Sequence, residues 1–139
     1  MTSLIHLFAF TISIYGVHSG KEVPVKHGSF VDACIYANSG SSLRVMPTSR
    51  DEVVFSMRPG IHEGDSLVYR TDVPFESLKV NDVVLRTGIP GAVDVVHRLH
   101  ERLPDGSFIT LGDANVGQVD PTPLTRDRFV GLVICLFRN

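Results

Sequence analysis

Residues 129–137 read FVGLVICLF, a run that is apolar at every position except its single glycine. Strands that are buried on both faces have continuous apolar sequences, whereas half-exposed strands alternate between apolar and polar residues. The run therefore predicts a strand in the centre of a β-sheet. The remaining elements can be assigned outward from it.

Shorter apolar segments precede this strand, and turn residues such as Pro104-Asp105-Gly106 separate them. Strands at short, regular intervals with turns between them are typical of an all-β barrel or sandwich. The segment 93–103 also fits an amphipathic helix, but its β-rich surroundings favour a strand. Further strands are predicted at residues 30–36, 43–46, 67–70, 83–86 and 108–111.

The composition indicates a single globular domain. The chain has 139 residues, of which 43% are hydrophobic and 20% charged, so it can bury a core. The 13 basic residues are balanced by 15 acidic ones and form no cluster or stripe. A nucleic-acid partner is therefore not expected.

The N-terminal residues 4–17 read LIHLFAFTISIYGV. This length suits the apolar part of a signal peptide and is shorter than the ~20 residues of a usual membrane helix. Val17 and Ser19 are small enough for positions −3 and −1 of a cleavage before Gly20, although no Lys or Arg precedes the run. Residues 1–19 are thus a cleaved signal peptide, a short membrane anchor or a buried element of the domain. The first two predict an extracytoplasmic protein, either membrane-associated or secreted.

Cys34 and Cys135 are the only cysteines, and they follow no metal-binding pattern. In an exported protein they can form a disulfide, which in the chain-entropy model adds roughly 4–5 kcal/mol of stability. They can equally be two buried free thiols. The sequence leaves both arrangements open.

Three local patterns carry residues suited to catalysis. Ser56 precedes the turn at Pro59-Gly60, where its hydroxyl can project from a bend. His97 lies among β-branched residues, and a neutral imidazole can accept a proton from a serine hydroxyl near pH 7. Asp113 and Asp120 follow, and a carboxylate can orient such an imidazole.

The order of these patterns resembles that of type I signal peptidases. Ser56-Met57-Arg58-Pro59 followed by Gly64-Asp65 is similar to their nucleophile motif. His97-Arg98 followed by residues 106–115, GSFITLGDAN, is similar to the base and acid segments of the endoplasmic-reticulum and archaeal branch, which uses Ser and His. The resemblance covers roughly residues 53–137. It implies a mainly β, compact, barrel-like or coiled sheet of the signal peptidase/LexA type, with residues 20–50 as an N-terminal β/loop segment and 51–139 as the serine peptidase-like domain.

The resemblance also implies roles for individual residues. Ser56 would be the nucleophile, His97 the general base, Asp120 the orienting acid and Asp113 a further support of the site. The substrates would be signal or leader peptides of exported preproteins, bound extended against Met57 and Pro59 with small residues at −1 and −3. Membrane association would come from the N-terminal segment, and no cofactor or metal is expected.

The chain departs from the family pattern at Val54, where the family has a serine whose hydroxyl can stabilise the oxyanion. Losing one such donor can cost roughly 10²–10³ in rate. A catalytically weakened or inactive relative that acts as a binding or assembly module is therefore the main competing hypothesis. The sequence also allows a small secreted β-domain, or a metal site formed by His62, His97 and His100.

Overall fold

The computed structural model describes residues 23–48 and 56–139. The described chain forms one α-helix, two short 3₁₀ turns and a seven-stranded sheet. The elements are β1 (Val25–His27), α1 (Phe30–Ala37), β2 (Leu43–Pro47), β3 (Ser66–Arg70), a 3₁₀ turn (Phe75–Ser77), β4 (Val83–Arg86), β5 (Val95–Arg102), β6 (Phe108–Leu111), a second 3₁₀ turn (Arg126–Arg128) and β7 (Phe129–Arg138).

The central position predicted for the final strand is confirmed. The strand order is β2-β3-β7-β4-β5-β6, and these neighbours are antiparallel. One side of β7 pairs with β3, while β4 and the parallel strand β1 share the other side. Residues 131–137 are all buried, because apolar clusters cover both faces of the strand.

The prediction of a mainly β chain is confirmed, but the prediction of a barrel-like closure is wrong. In the described ranges β2 pairs only with β3, and β6 pairs with β5 and makes a single bridge from Phe108 to Leu124. The chain leaves β6 through a loop that returns to β7 in the middle of the sheet. The sheet is therefore open, with β2 and β6 at its edges.

The predicted strand at residues 30–36 is wrong, because this segment forms α1. Ser29 Oγ accepts a hydrogen bond from the Asp32 backbone N–H at 3.2 Å, and the Asp32 carboxylate accepts one from the Ser29 N–H at 2.9 Å. This capping box satisfies two amide groups that a helix start leaves unpaired. Ala33 and Ala37 face the sheet and are buried. The local cap outweighs the β-like composition of the segment.

The remaining predicted strands in the described ranges are present, and the ambiguous segment 93–103 contains strand β5. The segment predicted as a separate N-terminal β/loop region contributes β1 and β2 to the same sheet as the later strands. Cys34 and Cys135 are unpaired, with Cys135 fully buried. Within the described residues, no helix is long and apolar enough to cross a membrane. The apolar run 4–17 and its cleavage site lie outside the described residues.

Candidate active site

Ser56 begins a tight turn, as its position before Pro59 predicts. The N–H groups of Gly60 and Ile61 donate to the Met57 carbonyl at 3.1 and 3.2 Å. The Met57 side chain is buried in an apolar cluster that includes Val96 of β5. This packing anchors the turn, so the neighbouring Ser56 is held against β5.

His97 connects Ser56 to an acid. His97 lies on β5 with its imidazole buried, and its backbone pairs with that of Val84 on β4. Its Nε2 lies 3.0 Å from Ser56 Oγ, and its Nδ1 lies 2.6 Å from Asp120 Oδ2. A hydroxyl, an imidazole and a carboxylate linked in this order can generate a nucleophile.

Asp120 is brought to His97 by the loop that follows β6. Its backbone N–H donates to the Thr110 carbonyl at 2.8 Å, and its Oδ2 accepts the Thr110 hydroxyl at 2.5 Å. Burial raises the pKa of Asp120. The hydrogen bonds from His97 and Thr110 and the nearby charges of His97 and Arg86 outweigh that effect, so its pKa lies below the ordinary value. Asp120 is thus the carboxylate that meets the imidazole.

Asp113 contacts Arg98 rather than His97. Its two oxygens accept from Arg98 Nε and Nη2 at 2.8 and 2.9 Å, a two-point ion pair. Arg98 also donates to the Asn81 carbonyl at 2.8 Å. Asn81 has a φ of 85°, the left-handed conformation that asparagine tolerates better than most residues. Asp113 therefore braces the loop next to the site without touching the imidazole.

Gly112 is a residue whose importance the sequence motif did not explain. A Cβ atom at this position would lie 2.5 Å from the Ser56 carbonyl oxygen, 2.8 Å from Ser56 Cβ and 3.0 Å from His97 Nε2. The Ser56 carbonyl also accepts the Ala114 N–H at 2.9 Å. Only glycine leaves room for the nucleophile to approach this closely.

Arg86 is a second residue that sequence reasoning missed. Its side chain is fully buried, and its Nη1 donates to Thr110 Oγ1 at 2.8 Å. In the sequence, Arg86 directly follows the apolar run Val83–Leu85, and this position could have indicated a buried arginine. Charged side chains are almost never fully buried without partners, so such an arginine indicates a polar network.

A cleft of about 380 Å³ lies beside the turn that carries Ser56. Met57 and Pro59, which the sequence predicts as substrate-binding residues, both line it, as do Val83 and Asp113. Val23 and Val25 close another part of its wall. The cleft thus combines apolar and charged side chains beside the turn, but neither Ser56 nor His97 is among its lining residues.

The metal site considered at His62, His97 and His100 is not assembled. His97 contacts Ser56 and Asp120, His62 Nε2 donates to the Pro59 carbonyl at 2.8 Å, and His100 is exposed. Within residues 23–48 and 56–139, no three His, Cys, Asp or Glu side chains are grouped to hold a metal ion. Val54, the position of the missing oxyanion hydroxyl, lies outside the described residues.

A scan against protein-family models gave no match, and a search of curated proteins also returned none.

Proposed function

We propose that this chain is a serine endopeptidase that resembles type I signal peptidases and cleaves signal or leader peptides from exported preproteins. The observation that supports this proposal is the chain of contacts from Ser56 through His97 to Asp120, at 3.0 and 2.6 Å. These three residues come from separate segments of the sequence, separated by 41 positions between Ser56 and His97 and by 23 between His97 and Asp120. The proposal includes an extracytoplasmic location.

In the proposed reaction, Ser56 Oγ attacks the carbonyl carbon of the scissile peptide bond while His97 Nε2 accepts its proton. Asp120 stabilises the imidazolium that forms. His97 then gives the proton to the leaving amine, and the C–N bond breaks to leave an acyl group on Ser56. Water, deprotonated by His97, releases the acyl group and restores the serine. By the resemblance, the Ser56 backbone N–H contributes to binding the oxyanion.

The proposed substrate is a peptide in extended conformation. Met57 and Pro59 line the cleft next to the turn that carries Ser56, and by the resemblance this cleft would take small side chains at positions −1 and −3. The finer fold assignment is also part of the proposal. Register shifts in strand pairing at Val68/Tyr69, Leu85/Arg86 and Leu99/Glu101 support this assignment, because such irregularities increase the local twist that a coiled sheet needs.

A fluorogenic peptide that spans a signal-peptide cleavage region tests the proposal. Ser56→Ala and His97→Ala should each reduce kcat by up to roughly 10⁶, since members of such a unit act together. Ser77→Ala and His100→Ala are the matched controls, because both side chains are exposed and lie outside the site. Cleavage that persists at the wild-type rate in Ser56→Ala or His97→Ala would refute the proposal.

The two aspartates provide a sharper comparison. Asp120→Asn should reduce kcat by roughly 10⁴, because an amide in place of the carboxylate favours the wrong imidazole tautomer. Asp113→Asn should have a much smaller effect, because Asp113 contacts Arg98 and not His97. Equal losses in the two variants would contradict the assignment of Asp120 as the acid.

The competing hypothesis of a binding function has its own outcome in the same assay. Wild-type protein that binds the peptide without cleaving it would favour a binding or assembly module. Val54→Ser then becomes informative, because a restored oxyanion donor is worth roughly 10²–10³ in rate. Cleavage that appears only in Val54→Ser would indicate a weakened peptidase rather than an unrelated binding protein.

A further inference from the structure

Arg86 lies at the centre of a fully satisfied polar network behind the candidate site. Its Nε donates to the Thr87 carbonyl at 3.0 Å, and its Nη1 donates to Thr110 Oγ1 and the Thr122 carbonyl at 2.8 and 2.9 Å. Its Nη2 donates to Thr122 Oγ1 and the Pro123 carbonyl at 3.2 and 3.4 Å. Each of the five guanidinium N–H groups thus has an acceptor, although the side chain is fully buried.

The direction of the hydrogen bonds follows from the chemistry of the guanidinium. Arginine has five donors and no acceptor, so Thr110 Oγ1 must accept from Arg86. The hydroxyl hydrogen of Thr110 is then directed to Asp120 Oδ2, 2.5 Å away. The same oxygen also meets His97 Nδ1 at 2.6 Å. Because Asp120 Oδ2 already accepts the hydroxyl hydrogen of Thr110, it also acts as an acceptor in its contact with His97 Nδ1.

We infer that Arg86 is a positioning residue, which acts through Thr110 to hold Asp120 as an acceptor and His97 in the tautomer whose Nε2 accepts from Ser56. Arg86 does not touch the reacting atoms. It also fixes the loop that carries Asp120, since Thr122 Oγ1 accepts from Arg86 and donates to the Gly88 carbonyl at 2.7 Å. The catalytic consequence rests on the proposed function, whereas the effect on His97 does not.

The tautomer of His97 follows from this arrangement. Asp120 Oδ2 can only accept at His97 Nδ1, so Nδ1 carries the hydrogen of the neutral ring and Nε2 is left to accept from Ser56 Oγ. Without the Thr110 hydroxyl, or without Arg86 to direct it, Asp120 is held less firmly as an acceptor. The share of the Nδ1–H tautomer should then fall.

The experiment compares wild type with Arg86→Met and Thr110→Val. The ring ¹⁵N NMR signals of His97, assigned by their loss in His97→Asn, distinguish the two tautomers of the neutral imidazole, and the share of the Nδ1–H tautomer should fall in both variants. On the fluorogenic peptide, kcat should fall while KM stays unchanged.

Two controls separate positioning from a merely structural role. Thr110→Ser keeps the hydroxyl and should retain the wild-type tautomer of His97. Arg44→Met removes an exposed arginine on the edge strand β2 and should leave the tautomer unchanged. A wild-type share of the Nδ1–H tautomer in folded Arg86→Met or Thr110→Val would overturn the inference, and Thr110→Val serves alone where Arg86→Met does not fold. The NMR measurement needs no cleavage, so it gives a result even where the peptidase proposal fails.

Discussion

Gly112→Ala tests how tightly the nucleophile is packed. The added methyl group would lie 2.5 Å from the Ser56 carbonyl oxygen, 2.8 Å from Ser56 Cβ and 3.0 Å from His97 Nε2. The closest of these atoms belongs to the backbone, so a side-chain rotation cannot relieve the overlap. The substitution therefore pushes directly on the Ser56–His97 pair.

The size of the effect follows from these distances. Ordinary van der Waals contact begins at 3.4 Å, so the Ser56 carbonyl must retreat by about 0.9 Å, or Gly112 must move away by as much. The same carbonyl is bonded to the Ala114 N–H at 2.9 Å, so either movement strains the loop. A displacement of about 1 Å at a reacting group can cost about 10²-fold in rate, or about 2.7 kcal/mol in activation free energy.

The assay is kcat on the fluorogenic peptide, with a thermal unfolding curve to show that the variant is folded. Gly60→Ala is the matched control, because it borders the same cleft and its Cβ would meet only the Met57 carbonyl at 3.8 Å. The control should keep kcat within about twofold, the effect of a substitution worth about 0.5 kcal/mol. Wild-type kcat in folded Gly112→Ala would refute the reasoning.

Three further predictions concern stability and the thiols. Burial raises the pKa of Asp82 to about 6, above its value near 3.9 in the unfolded chain. The folded protein therefore binds more protons than the unfolded chain between about pH 4 and 6, and the free energy of unfolding falls as the pH rises through that window. Asp82→Asn should remove this slope and raise the free energy of unfolding at pH 7 by about 2–3 kcal/mol in urea titrations; parallel pH profiles for the two proteins would contradict it. Ser29→Ala should lower the free energy of unfolding by about 1 kcal/mol, because the helix loses its N-cap. Ser29→Thr keeps a hydroxyl and should lower it by less. Equal free energies of unfolding for Ser29→Ala and wild type would argue against the cap. Burial raises the pKa of Cys135 to about 12, so its thiol should react with a disulfide reagent only after the protein unfolds. In the unfolded chain under non-reducing conditions, the reagent should count two thiols. A count of zero would mean that Cys34 and Cys135 form a disulfide.

The sheet was largely predictable because the sequence pattern of each strand is local. The run 129–137 is apolar throughout because both faces of β7 are covered, and turn residues delimit its neighbours. The failure at residues 30–36 is equally local. Apolar and β-branched residues there favour a strand, but the pair Ser29 and Asp32 caps a helix, and a cap counts for more in a short segment than average propensity.

The site was predictable only in part, because its contacts are not local. Ser56 and His97 are separated by 41 positions, and no periodicity in the sequence relates them. Spacing could not choose between Asp113 and Asp120, since both follow β6 in one loop. The choice depends on how that loop folds back, and the backbone bond from Asp120 to Thr110 decides it.

The end of β6 links the fold to the candidate chemistry. β6 pairs with β5 only from Arg98 onward, through the Arg98–Leu111 pair, so the next residue, Gly112, comes opposite His97. There the strand stops and the turn with Ser56 takes its place against β5, bonded to the loop through Ala114. A side chain at Gly112 would displace that turn, because its Cβ would lie 2.5 Å from the Ser56 carbonyl oxygen. The end of β6 pairing therefore leaves the place beside His97 that the Ser56 turn occupies, and the close approach of that turn explains why position 112 is a glycine.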